Sequence, residues 1–177
     1  GLCAMRSNHG TTMLGYIATD GRGASDRLLE RFARHLQNDG VKLAGAVQIN
    51  DGDCETGRRP MLVELLANGR VIKISQELGP HATGCRLDAE GLEIAAHAVA
   101  DAMRGDEALL ILNKFGKQER DGQGFRDVIV QALDHAIPVL LGVNPALQKD
   151  FLAFAGEFAV PLNATFDGLN DWFSDIT

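Results

Sequence analysis

The residues best placed by type and order to do chemistry are Asn113-Lys114-Phe115-Gly116-Lys117-Gln118-Glu119, which follow the apolar run Ala108 to Leu112. A short continuous apolar run reads as a strand buried on both faces, and polar residues at its carboxyl end stand where an open α/β sheet binds ligands. For Mg²⁺-assisted hydrolysis of a nucleotide, such a strand end supplies an Asp to the metal shell and often a Glu that orients water. Asn113 and Lys114 hold those two places. An amide is a poorer Mg²⁺ ligand than a carboxylate, and a protonated Lys is no base, so the case for Mg²⁺ is weak. Lys114 is expected instead to place its ammonium near a bound anion. If the chain is an enzyme, its catalytic candidates are Lys114, Lys117 and Glu119. The plainer alternative pairs Lys114 and Lys117 with Glu119, Asp121 or Asp127 at a sheet edge. The guanine-reading pattern N-K-x-D starts in the same way but needs Asp where Gly116 stands, which excludes it.

A second group, Thr19-Asp20-Gly21-Arg22-Gly23-Ala24-Ser25-Asp26, lies between an apolar strand and an amphipathic helix, the place of a phosphate-binding loop. The working pattern G-x-x-x-x-G-K-[ST] wraps phosphate in backbone N–H groups, with a Lys on the outer phosphates and a hydroxyl on Mg²⁺. Thr19 and Ala24 align with its glycines, Ser25 with its Lys and Asp26 with its hydroxyl residue, so the pattern is degenerate. A helix N-terminus still offers N–H groups to an anion, and Arg22 or Arg27 can add charge, although Asp20 and Asp26 oppose a polyphosphate. Gly21, Arg22, Gly23, Ala24, Ser25 and Asp26, with Asn113, Lys114 and Arg86, form the expected anion- or nucleotide-binding set. Alternatively, Gly21 and Gly23 form a plain turn, with Ser25 or Asp26 as the helix cap. A third group, His81, Cys85, Arg86 and Asp88, supplies weak metal candidates in His81 and Cys85, with Asp51, Asp53 or Cys54 within possible reach; no metal site is expected. His35, His97 and His135 fall on polar helix faces.

These groups need a scaffold, and the pattern of the chain provides one. Apolar runs alternate with helical periodicity, the arrangement of a mostly parallel sheet covered by helices. Strands are expected at Thr12 to Ala18, Leu43 to Ile49, Ala108 to Leu112, Pro138 to Val143 and Phe158 to Leu162. Helices are expected around Leu28 to Leu36, Leu92 to Met103, Phe125 to Leu133, Pro145 to Ala155 and Asp167 to Asp175. Met61 to Leu66 and Arg70 to Ser75 read as a hairpin around Asn68-Gly69. Gln76 to Asp88 reads as irregular, with Asp88 capping the next helix. The fold class is α/β, three-layered, with an antiparallel hairpin insertion.

The 177 residues, 45% hydrophobic, suit a single domain over residues 12–177, with residues 1–11 a disordered or tag-derived terminus. A net charge of -7, with no basic run longer than Arg58-Arg59, argues against a nucleic-acid partner. No apolar run approaches the ~20 residues needed to span a bilayer. The chain is expected to be soluble and cytoplasmic, with Cys3, Cys54 and Cys85 reduced.

From Thr12 to about Val143 the order of elements resembles the small P-loop nucleoside-triphosphatases first described in thermophiles, whose apolar strand ends D-E-x-G-K-x-E. Asn113 to Glu119 keeps Gly116, Lys117 and Glu119 of that string, and Phe125-Arg126-Asp127 and Ile137-Pro138-Val139-Leu140 are similar to the family's next helix and strand. Ile74-Ser75-Gln76-Glu77-Leu78-Gly79-Pro80, Gly84-Cys85-Arg86-Leu87-Asp88 and Asn113 to Glu119 resemble more closely a related bacterial family often encoded beside molybdate-transport genes. The resemblance implies a P-loop-type fold with degenerate phosphate and Mg²⁺ motifs. It implies a nucleotide, phosphate or tetrahedral oxyanion such as molybdate as ligand, and a regulatory or accessory role in molybdenum uptake or use. A homo-oligomer or a molybdenum-related protein are the partners it suggests. The competing expectation is a slow nucleoside-triphosphate hydrolase using non-standard residues.

Overall fold

The computed structural model describes residues 13–19, 23–49, 60–77 and 85–177. The expectations for residues 1–11, for Gly21 and Arg22, for Asp51, Asp53 and Cys54, and for His81 therefore lie outside the described residues. So do the side chains of Cys85 and Arg86.

Strand β1 (Leu14–Ile17) leads to helix α1 (Ala24–Asn38), which returns the chain to β2 (Leu43–Gln48). A hairpin of β3 (Leu62–Leu65) and β4 (Val71–Lys73) follows, and β3 pairs antiparallel with β2 as the insertion predicted. The segment expected to be irregular holds instead a second antiparallel pair, β5 (Ser75–Glu77) with β6 (Cys85–Leu87). Three-residue strands are too short to produce a readable period of two, which is why the sequence did not announce them.

Helix α2 (Ala89–Ala102) starts at Asp88, whose carboxylate accepts from the Glu90 N–H as a capping residue should. Next come β7 (Leu109–Phe115), the single-turn helix α3 (Lys117–Arg120), α4 (Arg126–Asp134) and β8 (Val139–Val143). Asn144 accepts from the Ala146 N–H at a 3₁₀ turn with Pro145 in its first position, and the turn runs into α5 (Gln148–Ala155). A short strand β9 (Ala159–Pro161) and helix α6 (Phe166–Ile176), capped by Thr165, end the chain.

The main sheet has the order β4-β3-β2-β7-β8-β1-β9, with β2, β7, β8, β1 and β9 parallel. Its two faces are covered separately, which makes three layers. Leu14, Tyr16, Ala46, Leu110, Leu112, Leu141 and Phe115 pack against α2, α4 and α5; Ile17, Leu43, Val47, Leu109, Ile111 and Leu140 pack against α1 and α6. Alternate residues of each central strand thus enter opposite cores, as the pleat requires. Leu169, Trp172 and Phe173 of α6 are buried as its sequence pattern predicts.

Because β1, β7 and β8 are parallel neighbours, their carboxyl ends share one edge. Strand β8 separates the other two, so β1 and β7 lie about 10 Å apart at the usual strand spacing. The close approach of the central strands depends on Gly45, which has φ +111° and would put a Cβ 1.9 Å from the Ile111 carbonyl oxygen. Gly69, in the hairpin turn, has φ +77° with open space around it. Both positions strain an Ala backbone, but only Gly45 adds a backbone clash. Urea unfolding should give Gly69→Ala a loss of about 1–2 kcal/mol and Gly45→Ala about 3 kcal/mol or more.

Candidate functional site

The first surprise at the site is that Asn113 and Lys114 do not follow strand β7 but belong to it. Leu112 pairs with Leu141 and Phe115 with Val143, so Asn113 and Lys114 together face the single residue Gly142. This is a β-bulge, and its effect is to re-aim side chains. Asn113 turns to the α1 side of the sheet and is buried, Lys114 is left exposed, and Phe115 returns to the opposite core, completely buried. Gly142 makes room for the bulge, since a Cβ there would stand 2.3 Å from the Asn113 carbonyl oxygen. The continuous apolar run hid the bulge, because a run has no alternation to interrupt.

Across the sheet edge, Asn113 Nδ2 donates to Asp26 Oδ1 at 2.9 Å. The bond joins residues 87 apart in sequence and ties the first turn of α1 to the end of β7. The structure therefore brings together one residue from each of the two chemical groups. The hydroxyls of Thr19 and Ser25 hydrogen-bond to one another, closing the described ends of the loop between β1 and α1.

Helix α1 starts on Gly23, in the left-handed conformation at φ 70°, a residue with no side chain to cap the first turn. Neither Ser25 nor Asp26 is its cap, which corrects the plain-turn alternative. Ala24, Ser25 and Asp26 are its first three residues, all half-buried. Arg27 folds back toward this end, so that a Cβ on Gly23 would lie 3.0 Å from its Nη1. Three other helix starts are closed by capping side chains: Asp88 at α2, Asn144 at the 3₁₀ turn before α5 and Thr165 at α6.

Lys114 and Lys117 are both exposed, and among the described residues neither makes an ion pair. Of the expected alternative partners, Asp121 pairs with Arg120 at 3.0 Å, Glu119 is turned inward, and Asp127 is exposed on α4 and forms no ion pair with either lysine. Only 3% of Glu119 is exposed, its Oε1 accepting from the Gly116 N–H at 2.9 Å and its Oε2 from the Phe125 N–H at 3.2 Å. Burial pushes its carboxyl above the ordinary value, those backbone N–H groups pull it partly back, and nearby Glu93 adds to the rise. A carboxylate held in this way closes a loop and does not reach toward solvent or a water nucleophile.

Of the histidines, His35 stacks edge-on against Phe166 and lies 3.4 Å from Asp39, His97 is exposed on α2, and His135 follows α4 with Nδ1 2.8 Å from the Gln131 carbonyl oxygen. Among the described residues, no three His, Cys, Asp or Glu side chains converge as metal ligands. Sequence reasoning missed Glu93, Gly124 and Gly142. Glu93 is a charged residue on an apolar helix and carries no local signal, whereas the Gly122-Gln123-Gly124 spacing did announce a turn.

A family model matches residues 14–172, which includes every element from β1 well into α6. The chain belongs to the family described as "Protein of unknown function (DUF2478)". The family's chain here is also 38% identical over 153 residues to the "Molybdenum import ATP-binding protein ModC 2" of Bradyrhizobium diazoefficiens. That match takes in 85% of this chain but 17% of the relative, so the chain spans about a sixth of that protein's length. In fold it is similar to THEP1 from the hyperthermophile Aquifex aeolicus, with a TM-score of 0.58, 16% identity, and coverage of 93% of this chain and 96% of that one. The α/β class and the mostly parallel, helix-flanked sheet are thus the expected ones. Among the described residues, no helix is long and apolar enough to cross a membrane.

The position of Glu119 makes a prediction for this DUF2478 chain. With its native pKa raised, Glu119 takes up a proton more readily in the folded than in the unfolded chain. Its contribution to stability is therefore full below the unfolded carboxyl pKa and is lost as pH rises through the folded value. The stability of the wild type relative to Glu119→Gln should fall in urea unfolding as pH rises above the ordinary carboxyl range and through the raised folded value, and then level off. A difference that rises with pH would contradict the assignment.

Proposed function

We propose that this domain binds a phosphate-bearing or tetrahedral oxyanionic ligand, in the class of a nucleotide, phosphate or molybdate. The ligand would sit at the carboxyl edge of the sheet between the start of α1 and Lys114. The observation that carries the reading is the start of α1: Gly23 opens the helix with no side-chain cap of its own, beside the folded-back Arg27, and the Asp26 to Asn113 bond ties this turn to the strand end that carries the exposed Lys114. Unpaired N–H groups at a helix start, with cations nearby, hold oxyanions by hydrogen bonds and charge. Gly23, Ala24 and Ser25 supply the backbone, Asn113 and Asp26 fix the two walls against one another, and Lys114 and Lys117 supply positive charge. Gly21, Arg22 and Arg86 belong to the same proposal by their places in the chain.

Binding without fast hydrolysis fits this set better than catalysis does. The Asn113 amide is engaged with Asp26, and Glu119, the remaining candidate base, has both oxygens on backbone N–H groups. A regulatory or accessory role connected with molybdenum uptake is supported by the 38% identity to a protein whose name places it in molybdenum import. Since this chain corresponds to a sixth of that protein, the role proposed is that of one domain acting beside an import ATPase.

The test is a thermal-shift panel of ATP, GTP, ADP, phosphate, molybdate and tungstate, each with and without Mg²⁺. A ligand that binds only the native state raises the midpoint by mass action. At least one of these should raise the melting temperature, and the shift should shrink in the Lys114→Ala, Lys117→Ala double variant. No shift with any of the six defeats the reading, and Mg²⁺-dependent release of phosphate from ATP would favour a hydrolase in its place.

A further inference from the structure

Between β7 and α4 the chain makes a closed loop, Gly116 to Phe125, and one side chain spans it from end to end. Glu119 accepts the N–H of its first residue with one oxygen and the N–H of its last with the other. A second carboxylate arrives from another element: Glu93 on α2 accepts from the Gly124 N–H at 2.6 Å. Inside the loop, the Gln123 N–H donates to the Gln118 carbonyl at 2.8 Å. Outside it, the Arg126 guanidinium donates to the carbonyls of Glu119 and Arg120 at 3.4 and 3.2 Å, with its own face 4.7 Å from the centre of the Phe154 ring.

Gly124 is matched to this arrangement. Its φ is +62°, and a Cβ on it would lie 1.7 Å from Glu119 Oε2, so the carboxylate fills the space that any other residue would need. Placing two like-charged groups at one helix start, one of them buried, is costly, and an Asn or Ser would cap the helix at less cost. The N–H groups of Gly124 and Phe125, which lead into α4, are thereby occupied.

We propose that Glu119 and Glu93 are positioning residues, a two-carboxylate latch that pins the Gly116 to Phe125 loop and thereby holds Lys117, beside Lys114 at the end of β7, where an anion meets α1. Lys117 stands one residue into the loop and takes its backbone position from it, whereas Lys114 is fixed by β7 itself. The positioning role rests on the anion-binding reading above, whereas the latch does not.

Amide hydrogen exchange on the whole chain separates the two. In Glu119→Ala, the amides of Gly116 and Phe125 should exchange at least about tenfold faster, the worth of one hydrogen bond, and in Glu93→Ala that of Gly124 should do so. The amides of Leu110 to Leu112 should keep their protection in both. Glu119→Gln, with a single carbonyl acceptor, should free only one end of the loop. Gly124→Ala should open the loop by displacing the carboxylate, and it should add less opening to Glu119→Ala than it causes in the wild type, because only the strain of an Ala at φ +62° and the contact with Leu92 then remain. Unchanged loop exchange, or equal loss of protection throughout β7, overturns the latch.

Calorimetric titration with ATP and with inorganic phosphate then tests positioning. Binding by the wild type that weakens about tenfold in Glu119→Ala supports it, and equal binding by both proteins overturns it. If neither probe binds the wild type, the anion reading falls and takes the positioning role with it, while the exchange result still decides the latch.

Discussion

The bulge at the end of β7 is the constraint on which the rest of the site depends. A strand buried on both faces can leave a core only if its polar residues find somewhere to go, and strict alternation would send Asn113 and Lys114 to opposite faces with Phe115 behind Asn113. Opposing two residues to Gly142 alone breaks that alternation once. Phe115 recovers a fully buried place, stacked on Phe154 and edge-on to Phe151, while Lys114 reaches the surface. The large aromatic is the anchor: a Phe side chain removed from water contributes roughly 1.5–3 kcal/mol, enough to set the local register against the weaker preferences of Asn and Lys. Strand β7 carries the constraint to both sides, since β2 and β8 pair along it and the Asn144 N–H donates to the Phe115 carbonyl just beyond.

Much of the fold was legible because its long elements have strong periods. The apolar stripe of α1 buries Leu29, Phe32, Ala33 and Leu36, and the Asp88, Asn144 and Thr165 caps stand where a short polar side chain precedes a helix. The Asn68-Gly69 hairpin is equally local, with Asn68 Oδ1 accepting from the Arg70 N–H. The short pair β5 and β6 and the single turn α3 were hidden, because three or four residues contain no period.

The site was legible in its residues and opaque in its connections. Asn113 and Asp26 were both singled out, yet nothing in the chain states that they bond, because pairing over 87 residues is a property of strand order. Lys114 and Lys117 read equally well as ion-paired or as poised cations, and only the inward turn of Glu119 and the Arg120 to Asp121 pair decides against the first. Glu119 was misleading for a related reason. A Glu three residues after a glycine at a helix start is also half of a capping box, and the same spacing serves a catalytic or a structural carboxylate.

Taken together, the Asp26 to Asn113 bond and the hydrogen bonds of Glu119 show how the carboxyl edge of this sheet is held by side chains from separate elements. A carboxylate at the end of β7 would face the carboxylate of Asp26 across the sheet edge, and two like charges at hydrogen-bond distance repel strongly outside bulk water. An amide there removes the repulsion and donates to Asp26 instead. Given Asp26, Asn113 is therefore the residue that keeps the two walls joined, and an amide suits this strand end better than a carboxylate would. The loop beyond is held by one carboxylate of its own, Glu119, and one from α2, Glu93, both on its N–H groups. Among the described residues, Lys114 and Lys117 are exposed at this edge and make no ion pair, so their positive charge is not engaged in the framework.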